Sequence, residues 1–125
     1  MTIYQDKMQA LENRMIAFSV SVVKTLGKYT KTPELKPLVD QVIRSATSIG
    51  ANYAEANNAS SRLDFKNKIY IAKKEAGETR YWLRVLSELL PNEDLSRLQQ
   101  ESLELNLILQ KITSTLKNVQ AAPGK

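Results

Sequence analysis

Residues 44–84, RSATSIGANYAEANNASSRLDFKNKIYIAKKEAGETRYWLR, read as the second half of one long helix, a tight polar turn and most of another. Apolar and small residues recur through this hairpin in alternating steps of four and three. Val39, Val42, Ala46, Ile49 and Tyr53 precede the turn, and Phe65, Ile69, Ala72, Ala76, Thr79, Leu83, Leu86 and Leu90 follow it. Such spacing keeps one stripe of a helix facing a partner helix, so the pattern predicts two long antiparallel helices packed through a heptad seam.

The same spacing extends outward on both sides. Met8, Leu11, Met15, Phe18, Val22 and Tyr29, with Thr25 and Leu26 filling the last turns, predict a first helix over 4–30. Gly27 and the polar run up to Pro33 weaken its end. A proline at the fifth helical position would remove a hydrogen bond and clash with the preceding turn, so Pro33 belongs to a short turn and Pro37 opens the second helix, over 37–57. Ser61, three residues before Asp64, has the form of a capping box for a third helix over 62–90. Pro91 stops that helix. Asn92 is placed to cap a fourth over 93–119, with Glu93 and Asp94 favourable in its first turn and a seam of Leu95, Leu98, Ser102, Leu105, Leu109, Ile112, Leu116 and Val119.

Each helix is about 38 Å long at 1.5 Å per residue. The connections are short, which forces sequential neighbours to run antiparallel. The expected fold is all-α: an up-down-up-down, left-handed four-helix bundle over residues 1–119, with a flexible tail at 120–125.

Composition agrees with one soluble helical domain. The chain has 125 residues, four glycines and four prolines, and no apolar run approaches the length of a membrane span. Its amino terminus lacks the basic region and apolar block of a secretory signal, so the expected location is cytoplasmic. There is no cysteine and no histidine, which excludes disulfides and thiol chemistry and removes the commonest general base and metal ligand. Glu55, Glu75 and Glu78 invite comparison with di-metal carboxylate bundles, but those sites need Glu-x-x-His pairs. Pairing with an arginine such as Arg44 is the better account of these acids. Ser45, Ser48, Ser60 and Ser61 have no basic partner other than lysine, and no glycine-rich phosphate loop is present. No catalytic residue, cofactor, metal or small-molecule substrate is expected.

The net charge of +5 is unevenly spread. Residues 62–90 hold seven bases against four acids, and residues 1–32 hold five against two. On the third helix Arg62, Lys66, Lys73, Arg80 and Arg84 are spaced by four, seven, seven and four, which holds them on one side, with Tyr70 and Tyr81 interleaved. Cations beside exposed rings suit a nucleic-acid surface, phosphates on the cations and unpaired bases on the rings. The competing reading is a solvated face whose charges pair with Glu75, Glu78 and Glu88.

Two further features fall outside the seams. Ala46, Gly50 and Ala54, with Ala72, Ala76 and Gly77, read as the closest approach of helix two on helix three. Ile71, Trp82, Val85, Leu89, Leu103 and Leu107 are apolar residues left over once the seams are filled, as are Ile16, Val20 and Val23. The first six are candidates for a self-association surface, the alternative being a wide core.

The hairpin also resembles the four-helix bundle family of proteins encoded in intervening sequences of bacterial 23S ribosomal RNA genes. The resemblance rests on Arg44–Ala46, Ser48–Ile49, Ala51–Asn52 and Ala54–Glu55, then Glu75–Thr79 and Trp82–Leu83. The chain departs from many members in having Ala56 where they have glycine. The resemblance implies a ring-shaped homopentamer without established enzymatic activity. Distant relatives, the accessory proteins of diversity-generating retroelements, are basic pentamers that bind a reverse transcriptase and nucleic acid. RNA or DNA, and a protein such as a reverse transcriptase, are therefore the expected partners.

Overall fold

Thr2 opens the first helix with a reciprocal cap: its hydroxyl accepts the Gln5 N–H at 3.1 Å, and the Gln5 side chain accepts the Thr2 N–H at 3.0 Å. The structure, a computed structural model, describes residues 2–120 and the side chains of 2–117. Among them the helices are α1 (Ile3–Leu26), α2 (Lys36–Asn57), α3 (Arg62–Leu89) and α4 (Ser96–Gln120), and there is no strand. Residues 121–125 of the expected tail and the packing of Val119 lie outside the described residues, while Gln120 is still helical.

Two boundaries differ from expectation by three residues or more. The α-helical part of α1 ends at Leu26, and Gly27–Lys31 tightens into a 3-10 turn pinned by the Thr30 hydroxyl on the Gly27 carbonyl. Pro37 sits in the first turn of α2, as its spacing from Pro33 requires. The start of α4 shifts by three residues, because Asn92 does not cap it. Glu93 N–H bonds back to the Leu90 carbonyl, and Asp94 supplies the capping oxygen, accepting from the Ser96 N–H at 3.0 Å and from its hydroxyl at 2.6 Å. Those bonds hold the Asp94 carboxyl below its ordinary range. Ser61 caps α3 as expected, accepting the Asp64 N–H at 3.0 Å.

The direction of each helix follows from polar contacts between them. Glu55 pairs with Lys68 and Ser45 with Thr79, so residues advance on α2 as they recede on α3. Between α1 and α4, Arg14 meets Glu101 and Glu104 while Tyr29 and Lys28 meet Glu93. Sequential helices pack on one another, and α4 closes on α1, giving an antiparallel all-α four-helix bundle. The seam residues of α2 are buried, as are those of α3 from Ile69 to Leu86. Phe65 and Leu90, at the two ends of the α3 seam, are only half-buried.

The small-residue account needs correction. Gly50 approaches α1, not α3: a Cβ there would lie 3.1 Å from Met15 Cβ. The Ser19 hydroxyl of α1 also bonds the Ala46 carbonyl at 3.3 Å. Gly77 is open, with only Asn106 of α4 at 4.0 Å. A middle helix has a neighbour on each flank, and these two glycines fall on the flanks away from the α2–α3 seam. That seam carries the buried Ser45 and Thr79 hydroxyls, 2.8 Å apart.

Candidate nucleic-acid interface

Helix α3 has a neighbour on each side, and the contacts of its side chains fix which stripe faces which. With 3.6 residues per turn, Ile71, Glu75, Glu78, Trp82, Val85 and Leu89, stepping by four and three, share one flank. Arg44 of α2 reaches Glu75 at 2.9 Å and also pairs with Glu78, so this flank lies beside α2. Arg62, Lys66, Tyr70, Lys73, Gly77, Arg80 and Arg84 share the other flank. Asn106 of α4 donates to the Lys73 carbonyl at 3.1 Å and lies against Gly77, so that flank lies beside α4. The basic stripe spans twenty-three residues of helix, 62–84, and is about 33 Å long.

Four cations of the stripe lack, among the described residues, the pairing expected of a merely solvated face. Two of its three proposed acids, Glu75 and Glu78, lie on the opposite flank and pair with Arg44, whose fork takes one oxygen from each. Glu55, the third carboxylate weighed as a metal ligand, meets Lys68 at 2.8 Å, and that bond raises the lysine's pKa. Among the described residues no group of acids is arranged to hold a metal. Arg62, Lys73, Arg80 and Arg84 make no ion pair among the described residues. Lys66 Nζ stands 5.9 Å from the centre of the Tyr70 ring, a cation–π distance.

Tyr81 sits on the outer crest between the two stripes. It is 59% exposed, and its ring meets Trp82 edge to face at 5.3 Å between centres. Beside it Tyr81, Arg84, Val85 and Glu88 border a shallow dip. Tyr70 is half-buried within the basic stripe.

The six leftover apolar residues do not form one face. Ile71, Trp82, Val85 and Leu89 are on the α2 flank of α3, with Ile71 40% and Leu89 50% exposed. On α4, Glu101 and Glu104 turn toward α1. Leu103 shares the flank of Asn106, toward α3, and Leu107 follows one turn later, 57% exposed. Leu103 and Leu107 therefore border the basic stripe, across the crest of α3 from the other four. Trp82 is half-buried, and its indole N–H is shielded with no hydrogen-bond partner among the described residues.

The pairing of Glu75 and Glu78 with Arg44 is the one expected from the sequence; what spacing alone did not reveal is that a single guanidinium takes both acids.

The model of the 23S rRNA-intervening sequence protein family matches residues 7–111 of this chain. The crystal structure of a protein of unknown function from the S23 ribosomal protein family of Bacteroides thetaiotaomicron is similar to it at 36% identity. The match covers 82% of this chain and 96% of that one, with a TM-score of 0.74. No curated protein matches. No helix among the described residues is long and apolar enough to cross a membrane.

Proposed function

This chain belongs to the 23S rRNA-intervening sequence protein family, and from that footing we propose that it is a non-enzymatic, self-associating bundle that binds nucleic acid through the α4-side edge of α3. The ligand is RNA or DNA, or a ribonucleoprotein containing them, and the setting is the cytoplasm. The carrying observation is the segregation of charge on α3. Arg62, Lys73, Arg80 and Arg84 make no ion pair among the described residues along one edge, while Glu75 and Glu78 lie on the other and pair there with Arg44. A linear row of cations attracts a polyanion and releases its counterions on binding. The expected assembly is a homopentamer, on the family resemblance and on the exposed apolar residues of α3.

The test is equilibrium binding of the purified protein to structured RNA across a salt series. Affinity should fall steeply as salt rises, and the combined Lys66→Glu, Lys73→Glu and Arg80→Glu variant should bind at least about tenfold more weakly. Salt-insensitive binding, or none, would remove the proposal.

A second reading is favoured by the apolar α2 flank of α3, where Ile71 and Leu89 are exposed beside Trp82 and Val85. Here the bundle is a scaffold or accessory subunit for another protein, such as a reverse transcriptase, and touches no nucleic acid itself. A pulldown that returns one protein partner and survives nuclease treatment would favour it.

A further inference from the structure

Glu88 is out of place on a surface meant for phosphates. It stands one turn after Arg84 on α3, yet the two opposite charges make no ion pair, and Glu88 has no hydrogen bond among the described residues. The order disfavours pairing, since a helix supports an acid four residues before a base better than the reverse. Both side chains instead border the same dip of about 270 Å³, whose remaining walls are the Tyr81 ring and Val85. Tyr81 meets Trp82 edge to face and is largely exposed, so a face of its ring is open to a flat ligand.

This set of groups matches one nucleobase. A flat apolar body fits over Val85 and against Tyr81. An arginine donates in a fork to a pair of acceptors, and a carboxylate accepts from a pair of donors. Guanine carries both on one ring system: O6 and N7 accept on one edge, and N1–H and the N2 amino group donate on the next. Adenine and cytosine offer a carboxylate only their single amino group, and uracil offers one N–H. Base-paired guanine has its donor edge occupied, so the base must be unpaired.

We propose that Tyr81, Arg84, Val85 and Glu88 form a subsite for an unpaired guanine in single-stranded nucleic acid, with the neighbouring cations of α3 holding the phosphates. This rests on the nucleic-acid reading above. Tyr81 stacks the base, Arg84 meets O6 and N7, and Glu88 reads N1–H and the amino group. No bond is made or broken.

The experiment is fluorescence anisotropy with labelled oligouridine 12-mers carrying one central guanine, inosine, adenine or uracil, against the full chain and its Glu88→Gln variant. Glu88 is exposed, so the variant keeps the fold, which circular dichroism checks. The expected result is guanine binding about tenfold tighter than adenine, with inosine, which lacks the N2 amino group, in between. In Glu88→Gln the guanine preference should disappear, with guanine binding falling about tenfold. A purely electrostatic surface predicts the opposite sign, because removing a negative charge tightens binding to every oligomer. Equal affinity for all four oligomers, or tightening of all four by Glu88→Gln, overturns the guanine subsite and leaves the nucleic-acid reading standing. No salt-dependent binding to any oligomer or to structured RNA overturns both.

Discussion

At Gly50 a missing methyl group sets how closely α1 and α2 approach. Its replacement by alanine would put a Cβ 3.1 Å from Met15 Cβ, an atom fixed to the α1 backbone, so the helices must part by a few tenths of an ångström. The strain of overpacking exceeds the helix propensity gained, and Gly50→Ala is expected to cost about 1 kcal/mol net in urea denaturation. Gly77→Ala has the opposite sign, a gain of about 1 kcal/mol, because only Asn106 at 4.0 Å stands near the new methyl. Both glycines were legible as anomalies inside helices, but the helix each one faces was not, since that depends on docking. Tyr29 and Glu93 give a pH signature. The Tyr29 hydroxyl donates to the Glu93 carboxylate, which lowers the Glu93 pKa and raises that of Tyr29. A lowered carboxylate pKa stabilises the fold fully above the ordinary glutamate range, and that contribution is lost as pH falls through the lowered value. The raised tyrosine pKa acts in reverse, its contribution present below the ordinary tyrosine value and lost as pH rises through the raised one. Thermal melts should show Tyr29→Phe destabilised relative to the natural chain at pH 7, with the gap narrowing at pH 3 and again in strong alkali.

The four helices were readable from spacing because a heptad pattern records which face of a rod is buried, whatever buries it. The ends were less readable. At the start of α4 three polar residues in succession, Asn92, Glu93 and Asp94, each have cap chemistry, and tertiary partners choose among them: Tyr29 and Lys28 take Glu93, leaving Asp94 to cap. The seam between α1 and α4 is the thinnest in the bundle. It is tied by Arg14, whose Nε and Nη2 meet Glu101 at 2.7 Å each and whose Nη2 also reaches Glu104 at 3.0 Å. The hydrogen bond to Glu101 is the largest of the effects that hold the guanidinium more firmly protonated than usual, against the opposing pull of burial. More than a third of the Arg14 side chain is exposed, so solvent screening limits its worth. Arg14→Ala is expected to cost about 1 kcal/mol, with amide hydrogen exchange accelerating in α1 before the α2–α3 hairpin. Uniform acceleration across all four helices would show that the seam does not open by itself. The basic stripe was likewise visible in the spacing of α3, and so was its separation from Glu75 and Glu78, whereas the helix that each flank faces depends on docking.

For the molecule as a whole, the two stripes of α3 look in different directions, so the proposed binding and the proposed assembly should be separable. Changing Ile71 and Leu89 to lysine should lower the mass found by light scattering and leave each subunit's affinity for nucleic acid within about twofold, given the sites' separation. Charge reversal at Lys66, Lys73 and Arg80 should do the converse. If either variant removed both properties, the two faces would be one. The placement of Trp82 supplies a way to watch this without labels. It is the one tryptophan in the chain, its indole nitrogen is screened from solvent, and its ring touches Tyr81 on the crest while its flank carries Ile71, Val85 and Leu89. Its ultraviolet emission is thus a native lamp at the watershed of the two surfaces. A base settling on the tyrosine should dim it, and a neighbouring subunit covering the leucine should shift its colour toward the blue, so one spectrum distinguishes the two events.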